Sequence, residues 1–185
     1  MNFWSFVYTL AICSSCIFFL RFYSLQSKIL FFIFGAVVIN LPMVYGLSLV
    51  DWVDSCLGQP SLFLFFLSLS ACFLIFYAPR EEILPVRSKV FIVVFGFVVF
   101  AGNLNLLWGF DLFALNFDVQ IAVVLGILLF ALSIDLFLGI LYLLCLVVFA
   151  FGLKENVFLY LIDVSVWLYA LIWLIAEGFL QKRKH

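Results

Sequence analysis

Charge is scarce in this chain: 10% of its 185 residues are Asp, Glu, Lys or Arg, against 69% that are hydrophobic. So little polar surface cannot cover a water-soluble globule, and the solvent implied is lipid. Histidine is scarcer still. The single His is His185 at the C-terminus, which excludes a His-based metal site, a Ser-His dyad or a Cys-His pair within the body of the chain. No glycine-rich phosphate loop occurs, and neither a cofactor nor a nucleic-acid partner is expected. The chain also lacks an opening charged segment followed by a short apolar stretch and a small-residue cleavage site. Its first apolar run is therefore expected to be a retained span.

What the sequence has is a series of apolar runs, each set against the roughly 30 Å of hydrocarbon in a bilayer. They cover residues 3–20, 29–50, 61–77, 90–107, 119–134, 136–152 and 157–179 of one integral membrane domain, 1–185. The expected fold is all-α, a polytopic transmembrane helical bundle. Between Val119 and Gly152 only Asp135 interrupts the apolar pattern, and a single helix of that length would reach about 50 Å. Crossing once gives six spans. Crossing twice, with a turn near Ser133 to Asp135, gives seven, the N-terminus outside and the C-terminus cytoplasmic. Seven spans place Arg21, Lys28, Arg80, Arg87, Lys89, Lys182, Arg183 and Lys184 all on the cytoplasmic side and leave only Lys154 outside, as the positive-inside rule requires. Seven is the arrangement favoured. Trp4, Tyr45, Trp52, Trp108 and Tyr160 then fall near the outer interface, and Tyr23 and Tyr77 near the inner one.

Seven spans also gather Asp51, Asp54, Asp111, Asp118 and Glu155 into an outer acidic rim, with Asp163 close by. Asp51 and Asp54 belong to a short amphipathic pattern. Leu49, Trp52, Val53 and Cys56 share one helical face, and Gly58 and Pro60 stop the pattern. This predicts a short helix on the outer membrane interface. On the cytoplasmic side Arg80, Arg87, Lys89, Lys182, Arg183 and Lys184 form a basic anchor suited to anionic lipid.

Asp163 is the leading functional candidate, because a carboxylate about two turns inside the last span is costly unless water or a partner reaches it. Asn40, beside the helix-breaking Pro42, and Asn103 and Asn105 are its candidate partners. The competing role for all four is structural, as interhelical hydrogen bonds worth about 0.6 to 2 kcal/mol each. Cys13 and Cys16 share the C-x-x-C spacing, but they lie mid-span, away from the water that thiolate chemistry needs, and read as small packing residues.

Three classes of function remain. A non-enzymatic subunit or scaffold of a membrane complex demands least of these residues and ranks first, with other membrane subunits or further copies of the chain as partners beside the lipid. A small cation- or proton-linked transporter using Asp163, Asn40, Asn103 and Asn105 ranks second. An enzyme acting on a lipid or lipid-linked substrate at the outer face ranks third, since Lys154 alone is available there to hold a phosphate. Short loops and the positive-inside bias point to a bacterial inner membrane.

Overall fold

The structure is a computed structural model and describes residues 3–19, 23–43, 45–77, 83–104, 106, 112–152 and 156–182, the side chains of 17–19 and 176–182 excepted. Among these residues the chain is all-helical. It contains α1 (Phe3–Phe19), α2 (Leu25–Asn40), α3 (Leu49–Leu57), α4 (Leu62–Tyr77), α5 (Val86–Asn103), α6 (Phe117–Ile134), α7 (Leu136–Phe149), α8 (Phe158–Leu161) and α9 (Val164–Lys182). A 3-10 turn, Leu112–Ala114, precedes α6. Among the described residues two helices, Val86–Asn103 and Phe117–Ile134, are long and apolar enough to cross a membrane; the apolar stretches Phe3–Cys16, Leu25–Asn40, Leu62–Tyr77, Leu136–Phe149 and Val164–Ile175 are shorter.

Local chemistry sets the helix ends. Ser24 accepts a hydrogen bond from the Ser27 amide and starts α2. The apolar run that continues to Val50 is not helical throughout, because Pro42 disfavours the helical conformation at the residue before it: Leu41 is extended (φ −72, ψ 135) and α2 stops at Asn40. A capping box between Ser48 and Asp51 opens α3, and Gly58, at φ 76, closes it. The last apolar run is likewise interrupted. Ile162 is extended (φ −150, ψ 143), so α8 and α9 are separate helices rather than one span over 157–179.

The chain divides into two compact units, Met1–Pro60 with Leu64–Ile83 and Ser61–Phe63 with Leu84–His185. In the first unit α1 and α2 run antiparallel. Asn40 Nδ2 reaches Thr9 Oγ1 at 2.9 Å near one end, and Cys13 Sγ lies 3.9 Å from Phe32 O further along. α3 is held by the fully buried Val50 and by Tyr8 Oη, which donates to Gly58 O at 2.6 Å. α4 is tied to α2 where Lys28 Nζ donates to Ile75 O at 2.9 Å.

In the second unit α6 and α7 form an antiparallel hairpin joined by a single extended residue, Asp135 (φ −158, ψ 125). The hairpin is closed at its base by Gly139, where an added Cβ would lie 2.9 Å from Leu132 Cα. At its open end the Phe117 and Phe149 rings pack 6.4 Å apart. Helix α9 packs on α5 through Trp167, which occupies the space over Gly96 and donates from Nε1 to Val93 O at 3.0 Å. Between these pairs sits an aromatic core of Phe63, Phe91, Phe95 and Tyr142, with Tyr142 from 4.8 to 6.2 Å from the other three rings.

The buried core is mostly apolar, but it also holds polar groups, and many large apolar side chains face outward. Thr9, Ser14, Lys28, Ser68, Ser88, Lys89, Gln120 and Asp163 are buried, while Leu30, Ile33, Phe34 and Val37 form an outward stripe along α2 and Leu125 and Leu129 do the same on α6. The close approach within the hairpin makes a sharp prediction. Gly139→Ala lowers stability by about 1–3 kcal/mol through overpacking. Gly126→Ala, at a position with open space around it, leaves stability unchanged or raises it by about 0.5–1 kcal/mol. Thermal unfolding in detergent measures both.

Candidate functional site

Asp163 precedes α9 directly and is 8% exposed. Its Oδ1 accepts from Val166 N at 2.7 Å, the geometry of a helix N-terminal cap. Its Oδ2 accepts from Ser61 N at 2.6 Å, and Ser61, fully buried, precedes α4 directly. One carboxylate thus sits at the amino ends of two helices, where unsatisfied N–H groups and the positive ends of two helix dipoles favour negative charge. The sequence places Asp163 inside a continuous span. The structure places it at a helix start, because a buried carboxylate is stabilised far better by backbone donors at a helix terminus than by the closed hydrogen-bond ladder of a helix interior.

Asn40 Nδ2 donates to Thr9 Oγ1 and to Ala36 O (2.8 Å), within the first unit. Asn103 ends α5 exposed. Asn105 lies outside the described residues, as do Arg80, Asp111, Glu155, Arg183 and Lys184 and the side chain of Lys182. Asp118 is exposed in the first turn of α6, favourable to that helix's dipole. Asp51 is committed to capping: Oδ2 accepts from Ser48 N at 2.8 Å and from Ser48 Oγ at 2.6 Å. These bonds, the hydroxyl's first, hold its carboxyl below the ordinary carboxylate value. Asp54 is half-buried, and its Oδ1 has no hydrogen-bond partner among the described residues. No group of three or more potential metal ligands forms among the described residues, and Cys13, Cys16, Cys56, Cys72 and Cys145 are all free thiols.

The two described basic anchor residues differ. Arg87 is exposed in the first turn of α5. Lys89 is buried, its ammonium 5.2 Å from the Trp173 ring centroid, a cation–π contact that shelters the charge inside the second unit. Beside it the fully buried Ser88 donates from Oγ to Asp135 Oδ2 at 3.0 Å, and Asp135 Oδ1 caps α7 through Phe137 N at 3.3 Å.

Sequence reasoning missed Ser61, Ser88 and Gln120. The signal for Ser61 was its position after Pro60 and before an apolar run, which marks a helix start. Gln120 donates both amide hydrogens to backbone, to Phe113 O at 3.1 Å and Leu115 O at 2.9 Å, fixing the 3-10 turn to α6. Nothing local in the sequence announces that. No family model, no curated protein and no solved structure matches this chain.

Two outcomes follow from this geometry. Asp163→Ala removes both acceptors and lowers stability by about 2–5 kcal/mol, each deprived buried donor costing about 1–3 kcal/mol. Asp163→Asn, which keeps one acceptor oxygen, costs less; thermal unfolding in detergent ranks the three chains. For Asp51 the folded-state shift is downward, so its contribution to α3 is complete above the ordinary carboxylate range and is lost as pH falls through its lowered value. Amide NMR shifts of residues 49–53 therefore stay helical through that range and fray only below it, and Ser48→Ala moves the fraying to higher pH.

Proposed function

We propose that this chain is an integral membrane protein of the bacterial inner membrane, crossing seven times with its N-terminus outside and its C-terminus cytoplasmic, and that it serves as a non-enzymatic subunit or scaffold. The observation that carries the membrane reading is the outward apolar stripe Leu30, Ile33, Phe34 and Val37 beside the buried Lys28, Lys89 and Asp163. Surfaces of that kind suit hydrocarbon and not water.

Contacts between helix ends support the alternating crossings. Ser61 and Asp163 meet at the starts of α4 and α9. Phe117 and Phe149 meet at the start of α6 and the end of α7. Ser88 and Asp135 meet at the start of α5 and the turn between α6 and α7, and Lys89 meets Trp173 of α9 at that same level. Each pair joins residues that seven alternating crossings place on one side.

The scaffold reading rests on where the buried polar groups point. Lys28, Asn40, Gln120 and Asp163 all bond to backbone groups of this chain, fixing helices instead of presenting reactive atoms. The stabilising partners proposed are the bilayer and other membrane subunits or further copies of the chain. A transporter is the second reading, favoured by one observation: the interruption of the last apolar run at Ile162 and Asp163 beside a buried carboxylate, a geometry that membrane carriers use for ion sites.

Gentle detergent extraction separates the two. A scaffold co-purifies with a stable partner or as a defined oligomer and gives no ion uptake in liposomes. Monomeric protein that drives uptake abolished by Asp163→Asn overturns the scaffold reading. For topology, a reporter active only in the cytoplasm is expected to be active when fused after His185; an inactive fusion there, with a reporter active only outside proving active at the same point, contradicts seven spans.

A further inference from the structure

Tyr45 is the one described non-glycine residue with positive φ, at φ 53, and it is followed by Gly46 at φ 75. Glycine adopts that conformation freely, but for an aromatic residue it costs about 1–3 kcal/mol. Nothing among the described residues offsets the cost, since Tyr45 is 92% exposed and makes no ring contact or hydrogen bond there. One backbone hydrogen bond nonetheless spans the turn: Met43 N donates to Leu47 O at 3.0 Å, and α3, which follows, is anchored by buried Val50 and by the Tyr8 bond to Gly58. Met43, Tyr45, Leu47, Leu49 and Trp52 are all exposed along this segment.

We propose that this turn and α3 form a preformed anchor that seats Tyr45 and Trp52 in the headgroup layer of an electroneutral phospholipid leaflet. The assignment rests on the membrane reading given above and names the surface this segment meets there. Continuity decides the occupant. The outward stripe of α2 runs on through Leu41 and Met43 to Tyr45, so the covering that suits Leu30 to Val37 extends to the turn. Length places the ring at the correct level. The 16 residues of α2 span about 24 Å, and the link to Met43 adds up to about 10 Å. Tyr45 therefore lies just beyond the roughly 30 Å of hydrocarbon. Tyrosine and tryptophan, apolar with one polar edge, are the side chains that favour this level. Charge selects the lipid: residues 41–60 contain no Lys or Arg, and Asp51 commits one carboxylate oxygen to capping at Ser48. Nothing in the segment attracts anionic headgroups.

Tryptophan fluorescence in phosphatidylcholine vesicles, with bromines carried either high on the acyl chain or near its end, tests this on the full chain. Phe34→Trp reports the α2 stripe, Tyr45→Trp the turn, and the intensity lost in Trp52→Phe reports native Trp52 without any new residue in the turn. The expected result is deep-bromine quenching of the reporter at 34 and shallow-bromine quenching at 45 and 52, unchanged by high salt or by added anionic phosphatidylglycerol. Quenching at 34 with none at 45 and 52 overturns the anchor while the membrane reading stands, and assigns the segment to water or a protein partner. Quenching at 45 and 52 that needs anionic lipid overturns the electroneutral assignment. Loss of quenching at all three positions overturns the membrane reading itself.

Discussion

The carboxylate of Asp163 is the constraint on which the second unit depends. Held away from water, it takes one backbone hydrogen bond from Val166 and one from Ser61, and so determines where two helices begin. The interruption at Ile162 follows, because the residue that caps α9 cannot also continue a helix from α8. So does the grouping of Ser61–Phe63 with a unit whose remaining residues begin at Leu84. With Ser61 fixed, Phe63 lies 4.8 Å from Tyr142 and completes the aromatic core that also meets Phe91 and Phe95.

The same economy recurs at the other polar sites. Lys28 meets the last turn of α4, where carbonyls and the negative end of the dipole favour a cation. Asp135 reverses the chain, caps α7 and accepts from Ser88, three roles for one residue in a link with no glycine or proline. Lys89 keeps its charge inside the unit by lying over Trp173. Each group answers the same requirement: in surroundings poor in water, a polar atom finds its partner in the protein.

The all-helical class was legible because, for the lipid solvent that the composition implies, apolar runs of helical length broken by Pro42, Gly58, Pro60 and the charged residues have no other compact solution. The reversal at Asp135 was legible from the distribution of Lys and Arg, and α3 from the spacing of Leu49, Trp52 and Val53. Helix ends were less legible. The run to Val50 carries no charged residue to mark a break, so the end of α2 at Asn40 depends on the conformational restriction Pro42 imposes on Leu41. Asp163 stood out by its isolation in an apolar run, but its capping role did not, since its second donor lies 102 positions away. Lys89 read as a loop charge because its sheltering ring, Trp173, is likewise far away in sequence.

Asp163 is the fixed point from which helix placement and the aromatic core of the second unit both derive. Amide hydrogen exchange on the intact chain in lipid nanodiscs measures that directly at the two donors. The Ser61 and Val166 amides are predicted to exchange as slowly as the interior amides of α5 and α7. Exchange at both sites as fast as at the exposed Tyr45 turn would contradict it.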